Sequence, residues 1–298
     1  MKTQQIFVVC LLLAAAGMLS AQVPTGPTDL DHFNCYEAAP PQGHQPVAAL
    51  LQDEFDVSPP AAVFLPPVFE QVTDLSPSKL CNPVTKVHNR ATTGELHPDA
   101  HLLMYWINNQ PSTPRSVTVE NQFGVATLTT GPAVILAVPS TKVVISSPTT
   151  TPSIPVIERE LDHFKCYMAS GDPVSTFTGA PVFLTDQFIT NTPMTVYAPW
   201  LFCNPVKKWR FTLNPSFFGS LFSLPTVTGE NHPLSHLTCY VTELAPGQNL
   251  IFPPPVIYNN QFVPPGTVNS LVLSGPDLLC VPSFKLGWNV IPAPSTGP

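Results

Sequence analysis

The sequence predicts a mainly β protein. It reads as two tandem disulfide-stapled domains, each a β-sandwich or barrel-like body built of two related quarter repeats. Three observations lead there. Proline supplies 38 of the 298 residues, and a proline inside a helix removes a hydrogen bond and clashes with the preceding turn. Ser116-Val-Thr-Val-Glu120 alternates side chains with the two-residue period of a strand, and Val182-Phe-Leu184 and Ser270-Leu-Val-Leu273 are short β-prone runs. Gly, Pro, Asn and Asp interrupt such runs repeatedly, whereas no segment holds a capped 3.6-residue period. Finally, cysteines recur at repeated positions, which suits a small exported β-domain.

Hydrophobic residues make up 44% of the chain, enough for a packed core, while charged residues are only 10% and the net charge is -7. With no Lys/Arg cluster, a nucleic-acid partner is not expected.

The first residues read as an address. Lys2 supplies a positive start, Ile6 to Ala16 is almost wholly apolar, and Leu19-Ser-Ala21 ends in a small residue. This is the order of a secretory signal peptide over residues 1–21, and Cys10 would leave with it. No later run is long and apolar enough to span a bilayer, so no membrane span is expected after cleavage. No Asn-x-Ser/Thr acceptor with a permitted middle residue occurs, which leans toward a bacterial source. The expected location is secreted, periplasmic or at the cell surface.

Self-similarity is the strongest signal. Leu30-Asp-His-Phe-Asn-Cys-Tyr36 returns as Leu161-Asp-His-Phe-Lys-Cys-Tyr167, and Cys81-Asn-Pro-Val-Thr-Lys86 as Cys203-Asn-Pro-Val-Lys-Lys208. Gly94-Glu-Leu-His-Pro-Asp-Ala-His-Leu102 returns as Gly229-Glu-Asn-His-Pro-Leu-Ser-His-Leu237. The order is kept, so the chain is a tandem duplication with domains at 28–145 and 157–290. Between them, residues 146–156 are Pro-, Thr- and Ser-rich and read as a semi-rigid linker.

Each half divides again. Every quarter opens with His-x-x-[Cys/Met]-Tyr, at His32, His101, His163 and His236. Each then carries an Asx-Gln-Phe block (Asn121-Gln-Phe123, Asp186-Gln-Phe188, Asn260-Gln-Phe262) or its variant Asp53-Glu-Phe55, and closes on [Cys/Ala]-[Asn/Val]-Pro-[Val/Ser]-x-Lys. On an opening strand, Phe33 and Cys35 share one face, and His32, Asn34 and Tyr36 share the other. The Phe33 position is Leu102, Phe164 or Leu237 elsewhere, so that face is core. The Asn34 position is Leu103, Lys165 or Thr238, a mixture that suggests solvent.

Removing Cys10 from seven cysteines leaves Cys35, Cys81, Cys166, Cys203, Cys239 and Cys280, for which fifteen connectivities exist. The repeats choose among them. Three quarters hold one cysteine in the opening strand and one in the closing motif. The second quarter lacks both, with Met104 and Ala137 in their places, as expected if the two form one bond. The pairs are therefore Cys35–Cys81, Cys166–Cys203 and Cys239–Cys280, each closing a loop of about 40 residues worth roughly 4 kcal/mol in the chain-entropy model.

The blocks Leu161 to Tyr167, Cys203-Asn-Pro-Val-Lys-Lys208, His236-Leu-Thr-Cys-Tyr240 and Cys280-Val-Pro-Ser-Phe-Lys285 resemble the signature blocks of a family of uncharacterised bacterial secreted proteins. That family is a domain of unknown function, often present in tandem. The resemblance covers nearly all of the mature chain and departs from the pattern at Met104 and Ala137. It implies a secreted bacterial module and transfers no catalytic residue.

No nucleophile elbow, zinc-protease motif, P-loop, dinucleotide fingerprint or EF-hand loop occurs. The fourfold His set reads as structural, since a catalytic centre seldom needs four copies. Asp31-His32 and Asp162-His163 are adjacent on a strand and face opposite ways, a poor acid/base dyad. Glu-x-His-Pro-x-x-His (Glu95, His97, His101 and Glu230, His232, His236) has a spacing that suits zinc, but its proline argues against both imidazoles sharing a helix face, and a turn copied by duplication explains it more simply. Trp106, Trp200, Trp209 and Trp288, with Phe217, Phe218 and Phe222, could stack on sugars or partners, and core packing is the favoured reading.

These observations point to an exported, non-catalytic binding or structural module with a protein or carbohydrate ligand and no cofactor or resident metal. The alternative is a secreted hydrolase or metal-binding protein whose site is dispersed in sequence. Peptide mapping without reduction is expected to return three within-quarter cystine pairs; a pair linking two quarters would contradict the repeat argument.

Overall fold

Sixteen strands and no helix make up the described residues of this computed structural model, which are 27, 29–39, 47–56, 70–110, 112–145, 161–172, 179–210, 226–228, 230–249, 251–264 and 267–292. The signal peptide expected at 1–21 and the linker expected at 146–156 lie outside them. The first quarter supplies β1 (Phe33–Ala39), β2 (Val47–Gln52), β3 (Glu70–Pro83), β4 (Thr85–His88) and β5 (Ala91–Thr93). The second supplies β6 (His101–Gln110), β7 (Arg115–Asn121) and β8 (Gly124–Val144). The third supplies β9 (Phe164–Asp172), β10 (Ala180–Thr185), β11 (Thr192–Pro205), β12 (Lys207–Arg210) and β13 (Thr226–Thr228). The fourth supplies β14 (His236–Leu244), β15 (Val256–Asn259) and β16 (Asn269–Val290).

Each quarter contributes one antiparallel pair, its opening strand against its closing strand: β1 with β3, β6 with β8, β9 with β11 and β14 with β16. Each opening strand also pairs with the closing strand of the quarter before it: β6 with β3, β9 with β8, β14 with β11, and β1 with β16. The pairings therefore run once around a barrel-like ring. Register shifts interrupt all four seams between quarters, so the ring is not evenly closed.

The two halves expected as separate domains, 28–145 and 157–290, thus meet edge to edge in one ring, at β8–β9 and at β1–β16. The outer strands bind them further. β2 pairs with β12, and β10 pairs with β4, so the first and third quarters exchange partners. β7 pairs with the end of β16, and β15 with the end of β8, so the second and fourth do the same. The physical reason is that a quarter's two ring strands leave two open edges, and only neighbouring quarters can satisfy their backbone groups. Between β4 and β5, Asn89 and Arg90 have φ of 49° and 68°, as a two-residue hairpin of right-handed twist requires.

Alternate residues of all eight ring strands meet in one apolar cluster: Phe33 and Cys35, Cys81, Leu102 and Met104, Ile135 and Ala137, Phe164 and Cys166, Leu201 and Cys203, Leu237 and Cys239, Leu278 and Cys280. This is the inside of the ring, and the face expected to be core is core. The opposite face departs from the expectation of solvent. Asn34, Leu103, Lys165 and Thr238 are all at most 1% exposed. The outer strands and the Asx-Gln-Phe turns cover them, so a second core containing Tyr36, Leu80, Tyr105, Tyr167 and Phe202 lies outside the ring.

Disulfides join Cys35 to Cys81, Cys166 to Cys203 and Cys239 to Cys280. In each the two cysteines are direct register partners. Met104 and Ala137 face each other in the same way in the second quarter, both fully buried. The double substitution M104C/A137C is therefore expected to form a fourth staple and to raise stability by about 2–4 kcal/mol, read from denaturant midpoints with and without reductant. Free thiols in the folded double variant would show that the second quarter does not repeat this geometry.

Candidate functional site

The repeated polar residues form one network that recurs four times around the ring. The Asx of each Asx-Gln-Phe block meets the tyrosine of the quarter two places away. Tyr36 Oη donates to Asp186 at 2.9 Å and Tyr167 Oη to Asp53 at 2.9 Å. Asn260 Nδ2 donates to Tyr105 Oη at 2.8 Å and Asn121 Nδ2 to Tyr240 Oη at 2.9 Å. Each Asx also accepts the N–H two residues on, at Phe55, Phe123, Phe188 and Phe262, which fixes its own turn. The chemistry of the partners varies together. The two aspartates accept from Asn204 and Asn34, whereas the two asparagines donate to Ser283 and Ser140.

The other two residues of each block cap the His–Lys pair of the preceding quarter. Gln122 meets His32, Gln187 meets Lys142 beside His101, Gln261 meets His163, and Glu54 meets both His236 and Lys285. The phenylalanines lie beneath the ammonium groups. Lys86 is 4.3 Å from the Phe123 ring centre, Lys142 5.1 Å from Phe188, Lys208 4.5 Å from Phe262 and Lys285 5.6 Å from Phe55. Burial disfavours the charged form of every group in these clusters. It holds His32, His101 and His163 well below the ordinary imidazole range, and the neighbouring lysine pushes each further down. It also lowers Lys142 and Lys285 to about 8. Burial thus favours the neutral form of all four histidines, which are parts of the frame.

A cavity of about 390 Å³ lies where the four opening strands begin, lined by the segments that lead into all four of them. Its polar wall is Asp29, Asp31, His97, Asp162, His232 and Ser235, and Leu30, Leu161 and Phe164 supply apolar surface. Asp31 accepts the backbone N–H groups of Leu96 and His97, and Asp162 accepts those of Asn231 and His232, both at 2.7 Å. Each buried aspartate so clamps the turn of a Glu-x-His-Pro segment. His97 Nδ1 faces Asp31 at 3.4 Å, and His232 Nδ1 faces Asp29 at 2.8 Å. In a neutral imidazole a carboxylate at Nδ1 holds the proton there and leaves Nε2 as an acceptor.

The Glu-x-His-Pro-x-x-His segments are therefore divided. His97 and His232 border the cavity, while His101 and His236 turn into the buried clusters. Among the described residues no group of three His, Cys, Asp or Glu side chains is placed to hold a metal ion. Of the aromatics, Trp106 is exposed and meets Trp200 edge-on at 6.1 Å. Trp288 packs on Phe55 at 5.2 Å beneath Arg115. The side chains of Trp209, Phe217, Phe218 and Phe222 lie outside the described residues. Sequence reasoning missed the importance of the Asx residues and of Asp29, although the fourfold recurrence of the former was itself a signal. No family model, curated protein or solved structure matches this chain.

His236 gives a measurable pH dependence. Burial lowers it to about 4, against about 6.5 in the unfolded chain. Between these values only the unfolded chain binds the proton, so this group's contribution to stability falls as the pH falls through 6.5 toward 4. Asp53, pushed up to about 6 mainly by burial, acts in the opposite sense over part of that range. Thermal or urea unfolding of His236→Gln is therefore expected to lose less stability between pH 7 and 5 than the parent, by about 2 kcal/mol. Parallel pH profiles would show that this imidazole stays protonatable in the fold.

Proposed function

We propose that the protein is an exported, non-catalytic binding module whose ligand site is the cavity at the start of the opening strands. The observation that carries this reading is how the repeated polar residues are used. Each buried tyrosine and Asx in the four repeats has its partner in another quarter, as do His32, His163 and His236, while His101 meets Lys142 of its own quarter, so these groups are committed to the frame. The polar groups at the cavity are instead an open set built by the segments that lead into the four opening strands. Such a position suits recognition, because a ligand there touches every repeat at once.

Three buried disulfides fit an oxidising compartment. Export through the leader expected at 1–21, a bacterial source and kinship with the secreted tandem-repeat family belong to the same proposal. No helix among the described residues is long and apolar enough to cross a membrane.

The competing hydrolase reading would use the Asp31–His97 or Asp29–His232 pair as an oriented base. A hydrolase panel on the purified mature chain, run beside His97→Ala and His232→Ala, separates the two. Silence throughout is the expected outcome, and turnover abolished by either substitution would replace the binding module by an enzyme.

A further inference from the structure

Resting on that binding reading, we propose that the cavity takes an aliphatic polyamine, a methylene chain with an ammonium group toward each end. The first argument is charge. Three carboxylates line the cavity, and no Lys or Arg is among its described lining residues. Burial raises Asp162 and Asp29 adds to this, while the backbone N–H groups of Asn231 and His232 and the charge of His232 draw it down, and no lysine or arginine among the described lining residues answers the three carboxylates.

The second argument is hydrogen-bond polarity. Asp31 and Asp162 are held rigid by backbone N–H groups and keep further lone pairs. In their neutral forms His97 and His232, with Nδ1 turned to a carboxylate, keep an acceptor at Nε2, and the Ser235 hydroxyl already donates to Asp29. The wall is thus almost all acceptor, and its ligand must bring the donors. An ammonium group brings three together with the missing charge.

The third argument is the duplication. Asp31 with His97 comes from the first half and Asp162 with His232 from the second, at equivalent places in the repeat. Two acceptor sets related in this way suit a ligand with two like ends. The apolar side chains of Leu30, Leu161 and Phe164 suit the methylenes between them. A dicarboxylate would meet three like charges, and the described ligand groups do not gather as a metal cluster.

Calorimetry on the full chain at low ionic strength tests this with cadaverine, spermidine, butylamine, succinate and zinc chloride as probes. The diamine and triamine are expected to bind, with butylamine at least about tenfold weaker. Asp29→Asn removes a half-exposed carboxylate that clamps no backbone, and is expected to weaken cadaverine by about tenfold. Leu96→Trp, on the exposed rim, is expected to fill the mouth and abolish binding. Polyamines no better than butylamine, or binding indifferent to both variants, would overturn the proposal. Silence with every probe would overturn it as well. Succinate or zinc bound in the parent and lost in Leu96→Trp would reject the polyamine while keeping the cavity as a ligand site.

Discussion

A hydrogen bond between a tyrosine of one quarter and an Asx turn of the quarter opposite holds this structure together. It joins residues 150 apart at Tyr36–Asp186 and 155 apart at Tyr105–Asn260. The buried hydroxyl and the buried amide or carboxylate each have high desolvation costs, and each is satisfied only when the distant quarter is in place. The same turn presents Gln or Glu and Phe to a buried His–Lys pair of another neighbour. One three-residue block therefore links three quarters. No quarter reaches its own polar satisfaction without the others, which makes the assembly cooperative rather than a string of separate folds.

The buried lysines show how much the frame asks of its surroundings. Lys86 is 1% exposed and its ammonium has no hydrogen-bond partner among the described residues, with the Phe123 ring beneath it. Burial pushes it well below the ordinary lysine range. A neutral imidazole at the next position avoids adding a second charge to each such site. The lysine stems also supply apolar surface between the ring and its outer strands.

Much of this was legible in the sequence. The joint loss of cysteine at Met104 and Ala137 marked the staples as opening-to-closing pairs, and alternation at Phe33 and Cys35 marked the inner face. The outer face was misread for a physical reason. Asn34, Leu103, Lys165 and Thr238 share no polarity, and such mixture on a strand normally means water. Here each meets its own surroundings: Asn34 finds Asp186, Lys165 finds Asp56, Thr238 accepts from Ser283, and Leu103 packs into the outer apolar core. Partners so far apart in the chain leave no local pattern. Nor could a linear repeat show that its two copies close on each other, because the edge pairing of β8 with β9 uses backbone groups common to every residue. The cavity was half visible: the duplicated His-Pro segments stood out, but the separation of His97 from His101 depends on Asp31 holding the backbone at Leu96 and His97 and on the turn from His97 to Ala100 that follows.

The seam between β1 and β16 also has a kinetic meaning. Phe33 pairs with Cys280 there, so the first of the described strands to be made waits for the last of them. Until that last strand arrives, β1 has an open edge, and the buried Tyr105 has already had to wait for the turn at Asn260. A topology of this kind has a high contact order and folds slowly, with exposed strands as its hazard. The within-quarter cystines lie at local pairings that can form before the ring closes, and they hold each pair of strands in register while the chain is still incomplete.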